Sequence, residues 1–92
     1  MSIDRSTRPS KSENVAFRRL AEGEGGVLLH LESGEYHGIN EVGCLIWELV
    51  DGERTVDGLV VALDTRIEDS PADLAEHVIA FLHTLRERDL VT

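Results

Sequence analysis

Two histidines, His30 and His37, flank the turn in "LHLESGEYHGIN". A two-residue loop at Ser33-Gly34, with Gly34 supplying the positive φ of a tight hairpin, pairs Glu32 with Glu35, Leu31 with Tyr36 and His30 with His37. Facing imidazoles on adjacent strands are half of a metal site. Zinc takes three or four ligands, however, and the other side chains on that face are Leu28 and Ile39. The pair therefore reads as two strand histidines, and no metal is expected. His77 and His83 stand six apart on one helix and point in different directions. Cys44 is the single cysteine. Its surroundings, "EVGCLIWE", hold neither a cation nor a base to lower its pKa, so it reads as a small buried residue. One cysteine builds no disulfide, no thiolate cage and no CxxC pair, which fits a cytoplasmic protein. The acid pairs Glu22 with Glu24 and Glu68 with Asp69 lie in connecting segments and read as solvated surface. No glycine-rich phosphate loop, GxSxG or HExxH is present. With no catalytic set, the expectation is a binding protein, not an enzyme, that needs no cofactor.

The elements that position these residues follow from pattern. Residues 1–14, "MSIDRSTRPSKSEN", are polar, contain Pro9 and show no periodicity, which predicts a disordered tail. "VAFRRL" and "VLLHL" read as strands, and "EYHGI" as a third after the turn. Asn40 is placed to cap a helix over "EVGCLIWELVD", with Val42, Leu45, Ile46, Leu49 and Val50 on one stripe and Gly52 as its stop. Thr55 caps a second helix with Val56, Leu59, Val60, Leu63 and Ile67 inward. In "DSPADLAEHVIAFLHTLRERD", Ser70 reads as the cap and Pro71 as the first helical residue, with Leu74, Val78, Phe81, Leu82 and Leu85 buried. "LVT" is available for a short final strand. The order predicts one α+β domain over residues 15–92: a three-stranded antiparallel sheet, then three helices, with winged helix-turn-helix geometry available.

Charge narrows the partners. Residues 1–19 carry five basic and two acidic side chains, a balance of +3, whereas residues 20–92 carry four Arg and 16 acids, a balance of −12. A nucleic-acid backbone is repelled by such a surface. No run approaches the roughly 20 apolar residues of a membrane span, so no membrane partner is expected either.

Two surface features remain. If the first strand pairs with the second, "EYHGI" is a sheet edge with unpaired backbone groups, and neither Lys nor Pro blunts it. Gly38 leaves its backbone open to close approach. On the last helix, Ala75, Ile79 and Arg86 form one shoulder of the core stripe, with His83 further round. Edge and shoulder together would make a groove for an extended peptide added as a strand.

The set "SGEYHGIN", "IWELVDG", "RTVDGLV" and "FLHTLRERDLV" resembles the PqqD-like family, recognition elements for ribosomally made, modified peptides that include the stand-alone recognition proteins of lasso-peptide pathways. The likeness spans roughly residues 15–91, with Asp89 where glycine is common. The resemblance implies a winged helix-turn-helix that does not bind DNA. It implies that the leader segment of a precursor peptide binds as an extra antiparallel strand on the third strand, with side chains in the cleft beside the third helix. The leader is then presented to a modifying enzyme or leader peptidase. On this chain the implied positions are Glu35, Tyr36, His37, Gly38, Ile39, Ala75, Ile79, Leu82, His83 and Arg86. The acidic surface adds the expectation of a neutral to basic partner. A winged-helix transcription regulator is the alternative; it would drive Asp73 and Glu76 toward phosphates. A subunit that lends a strand to an enzyme is a third reading, and the open edge also permits a homodimer.

Overall fold

The computed structural model describes residues 3–92. Three strands precede three helices: β1 Val15–Arg19, β2 Gly26–His30, β3 Tyr36–Ile39, α1 Glu41–Leu49, α2 Val56–Asp64 and α3 Leu74–Glu87. The strands form one antiparallel sheet in the order β1-β2-β3, so β1 and β3 are both edges. This is the expected α+β arrangement.

The hairpin differs from expectation in its register. Leu29 pairs with Tyr36, Leu28 with His37 and Val27 with Gly38, two positions away from the predicted set. The loop is four residues, Leu31 to Gly34. His30 donates its N–H to the Glu35 carbonyl (2.9 Å) and accepts from the Gly34 N–H (2.8 Å), while Gly34 takes φ +76°. His30 therefore stands opposite Glu35, and the facing histidine pair is not formed. Because side chains alternate along a strand, a two-residue shift keeps every residue on its predicted face. Leu28 and Ile39 are the buried side and pack on the helices.

Local signals set the helix starts. Asn40 Oδ1 accepts from the Gly43 N–H at 2.8 Å, and Thr55 Oγ1 accepts from the Gly58 N–H at 3.1 Å. Gly52, at φ +78°, carries the chain out of α1. The third helix starts later than predicted. Pro71 to Asp73 form a turn in which the Leu74 N–H bonds to the Pro71 carbonyl, and Asp73 occupies the cap position with no side-chain bond to it. Ser70 is not the cap, and its buried hydroxyl has no hydrogen-bond partner among the described residues. At the far end Asp89 adopts φ +58°, the conformation that favours glycine.

Two apolar clusters hold the layers together. Ile46, Leu49, Val56, Leu59, Leu63, Leu74, Val78 and Leu82 join the three helices, and Leu28, Ile39, Cys44, Trp47, Leu85, Leu90 and Val91 lie under the sheet. Phe81 touches both clusters. Arg19 ties β1 to α1, with Nη1 2.9 Å from Glu41 Oε2 and Nη2 3.2 Å from Glu48 Oε1.

Residues 3–14 depart most from expectation. Met1 and Ser2 lie outside the described residues, but the rest of the predicted tail lies along the domain. Its carbonyls at Arg5 and Thr7 accept the N–H groups of Asp57 and Val56 in the first turn of α2, donors that a helix cannot satisfy internally. Pro9 is fully buried and accepts from the Gly52 N–H at 3.0 Å. Lys11 then bridges to Val91 in the final segment, with its ammonium 5.3 Å from the Trp47 ring centroid.

Candidate functional site

The hydrogen-bond alternation of an antiparallel pair decides which groups of β3 are free. The His30 N–H donates to the Glu35 carbonyl, so on this register His37 and Ile39, two and four residues on, turn their N–H and C=O toward β2. Tyr36 and Gly38 therefore turn theirs outward, along an edge that no other strand covers among the described residues. That edge can accept a fourth strand of extended chain through main-chain bonds alone.

The side chains of His37 and Ile39 point to the helix side, and there a groove opens between β3 and α3. Phe81 lies at its inner end. A Cβ built on Gly43 would meet the Phe81 ring at 3.0 Å and the Ile39 side chain at 3.1 Å, so the small residue at 43 lets the strand end and the helix approach. Arg88 lies at the other end, beside His37. Burial, and then the nearby Arg88 charge, hold the His37 imidazole below its usual pKa. On a helix of 3.6 residues per turn, His77, Phe81, Thr84 and Arg88 fall in one line, so this row of α3 borders the groove. Past the end of β3 a separate cavity of about 340 Å³ is lined by Asn40, Gly43, Ile46, Leu74, His77 and Phe81, among others. Near the hairpin a polar basin of about 440 Å³ is lined by His30, Glu32, Glu35, Glu87, Arg88 and Asp89, with Ser33.

The family model for coenzyme PQQ synthesis protein D (PqqD) matches residues 25–91 of this chain. The chain belongs to the PqqD family. Two curated relatives from Pseudomonas fluorescens, each called PqqA binding protein, are 32% identical (strain Pf0-1) and 30% identical (strain SBW25) over 92 residues, covering 100% of this chain and 98% of each relative. Among solved structures, TbiB1 in complex with the TbiA(beta) leader peptide has a TM-score of 0.74 at 26% identity, covering 89% of this chain and 93% of that one. Lasso peptide synthetase B1, complexed with the leader peptide, has a TM-score of 0.76 at 20% identity, covering 94% and 99%, and shares the fold.

Within this PqqD-family domain the anticipated positions divide. Tyr36 and Gly38 supply outward backbone groups, and His37 supplies a half-buried side chain to the groove. Ile39 is buried at 7% exposure and packs in the cluster under the sheet. Glu35 precedes the strand and directs its carbonyl to His30, so only its side chain reaches the site. The helix positions lie elsewhere. Leu82 is fully buried and Ala75 nearly so, both packed in the interior. Ile79 packs against the helix cluster, on the side of α3 opposite Phe81 and Arg88. Arg86 flanks that same far shoulder, and exposed His83 pairs with Glu87 at 3.5 Å. The row His77, Phe81, Thr84 and Arg88 was not anticipated. Its signal was the second shoulder of the same helix, where Phe81 is as apolar as Ile79.

The sheet's outer face is largely apolar. Ala16, Val27, Leu29 and Tyr36, with Phe17 and the charged Arg18, line a shallow depression of about 640 Å³, and Tyr36 is 73% exposed. Leu31, at the hairpin, is 59% exposed.

Among the described residues no group of three or more His, Cys, Asp or Glu side chains is placed to hold a metal ion. Burial pushes the Cys44 thiol upward in pKa, away from the thiolate a nucleophile needs. Among the same residues no helix is long and apolar enough to cross a membrane.

Proposed function

We propose that this protein binds the leader region of a ribosomally made precursor peptide as a strand added to β3 and hands it to a modifying enzyme or leader peptidase, acting in the cytoplasm as an adaptor without catalysis of its own. The observation that carries this reading is the pairing of an open edge, at Tyr36 and Gly38, with two hollows beside it, a small cleft at His37 and Arg88 and a larger cavity at Phe81. Main-chain bonds along the edge hold any extended segment, and the groove selects which side chains stay. Relatives named for binding PqqA, and the leader-peptide complexes of TbiB1 and of lasso peptide synthetase B1, support the same chemistry. The apolar outer face, with Leu31 and Tyr36 exposed, is the kind of surface a partner protein covers, which suits delivery to an enzyme. The net charge of −9 suits a neutral to basic partner and opposes nucleic acid. A homodimer through β3 would compete with the leader for the same edge.

Isotope-edited NMR titration with synthetic leader peptides of lasso-peptide and PqqA-type precursors tests this reading. Amide shifts are expected first at residues 36–39 and along 77–88. Shifts confined to the β1 edge, or saturable binding of duplex DNA at physiological salt, would overturn it.

A further inference from the structure

We infer that Gly38 is a specificity determinant that selects an aromatic side chain in the incoming strand, an inference that rests on leader binding along β3. Glycine in a strand interior weakens it and has to be explained by conformation, by crowding or by something that approaches. Conformation is no reason here, since positive φ occurs at Gly23, Gly25, Gly34 and Gly52 but not at Gly38. Crowding is no reason either, because a Cβ at Gly38 would meet nothing within 4 Å. What the missing side chain creates is a notch on the outer face of the sheet. Its back wall is Val27, paired with Gly38 across the ladder, and its side wall is Tyr36, two residues along the same face.

The outward N–H and C=O of Gly38 place one residue of an added antiparallel strand directly opposite it, and that residue's side chain lies on the same outer face. Strands lie about 4.8 Å apart, so Val27 is two spacings, roughly 10 Å, from the incoming backbone. An aromatic ring crosses that gap over the bare glycine and packs on Val27 and Tyr36, as aromatic and β-branched residues do across strands. A short side chain leaves the notch empty. The residues before and after the aromatic one point to the other face, toward Ile39 with Phe81 and toward His37 with Arg88. The recognised segment therefore has an aromatic residue between two groove-directed residues, with all three side chains engaged.

Selection of peptides from an mRNA-display library of randomised 20-residue chains, run in parallel on the wild-type protein and on Gly38→Val, tests this. Valine fits the strand conformation and meets open space, so the variant keeps the fold. Wild type is expected to enrich an aromatic residue flanked by groove-directed side chains, and to bind the selected peptide about fivefold better than its alanine counterpart at that position, the factor that about 1 kcal/mol of cross-strand pairing gives. Gly38→Val is expected to keep the flanking preferences and lose the aromatic one. The same aromatic preference in both proteins, or none in wild type, overturns the notch while leaving strand addition intact. Failure of wild type to retain any extended peptide overturns leader binding and the notch with it.

Discussion

Ser10 and Thr92, separated by 82 positions, exchange backbone hydrogen bonds: the Thr92 N–H donates to the Ser10 carbonyl at 2.8 Å and the Ser10 N–H to the Thr92 carbonyl at 3.5 Å. The two ends of the chain are thus closed on each other beside Trp47, and the Ser12 N–H holds the Leu90 carbonyl one step further in. Deleting residues 1–12 removes these bonds, exposes the surface under Ile3 and Pro9, and leaves two first-turn donors of α2 to solvent. Burial of one apolar side chain is worth about 1.5–3 kcal/mol, so a loss of roughly 2–4 kcal/mol is expected. Urea unfolding of the truncated chain measures it. A midpoint equal to that of the full chain would show that the segment contributes nothing to folding.

The outward direction of the Gly38 N–H makes proline a selective probe. Gly38→Pro removes a donor that the β2–β3 ladder does not use, so the sheet should survive as an edge strand tolerates proline. One lost hydrogen bond, about 0.5–1.5 kcal/mol, predicts leader affinity down by about twofold to twelvefold, with far-UV circular dichroism unchanged. Calorimetric titration gives the affinity. Undiminished binding would place the docked strand elsewhere than on β3.

The features that the chain displays openly are the local ones. Asn40, Thr55 and Gly52 are readable because a cap or a stop depends on a few adjacent residues. The hairpin register is less so, since Gly34 serves a two-residue and a four-residue loop equally well, and only the bonds of His30 decide between them. Ser70 followed by Pro71 has the chemistry of a helix start, yet the turn at Pro71 to Asp73 intervenes. The groove row of α3 was hidden for a different reason. That helix has two apolar shoulders, one with Ile79 and one with Phe81, and which of them meets the sheet is a tertiary fact that no periodicity encodes. The docking of residues 3–14 was hidden because their partners, from Trp47 to Thr92, are distant in sequence and many are reached through backbone groups, which carry no side-chain signature.

His37 makes stability depend on pH. Its folded-state pKa lies below the ordinary 6.5, chiefly from burial and secondarily from Arg88, so the fold favours the neutral ring. Above pH 6.5 both folded and unfolded states leave it neutral and its contribution is complete. As pH falls below 6.5 the unfolded chain takes up the proton first, and stability declines until the folded-state pKa is passed. Asp4, Glu41 and Asp51 also have lowered values, but from ordinary values of 3.8 to 4.5, so their loss belongs to a more acidic window. Urea midpoints of wild type should therefore fall between pH 7 and pH 5, and the fall should be shallower in His37→Gln. Parallel curves for the two proteins would remove His37 as the cause.

Phe81 and Ile79 lie on opposite sides of α3, and paired conservative substitutions separate a groove residue from a packing residue. Phe81→Leu keeps an apolar side chain but shortens the wall that faces Ile39, so leader affinity should fall by about fivefold to tenfold, the loss expected when about 1 kcal/mol or slightly more of groove contact disappears. Ile79→Val removes one methylene from a half-buried site against the helix cluster. It should cost about 0.5–1 kcal/mol of stability and leave affinity within about twofold. Calorimetric titration and urea unfolding on both variants give the two numbers independently. The opposite ranking in affinity, with Ile79→Val the weaker binder, would move the docked peptide to the far shoulder of the helix, where Ala75 and Arg86 flank Ile79 and no sheet edge is at hand to receive its backbone.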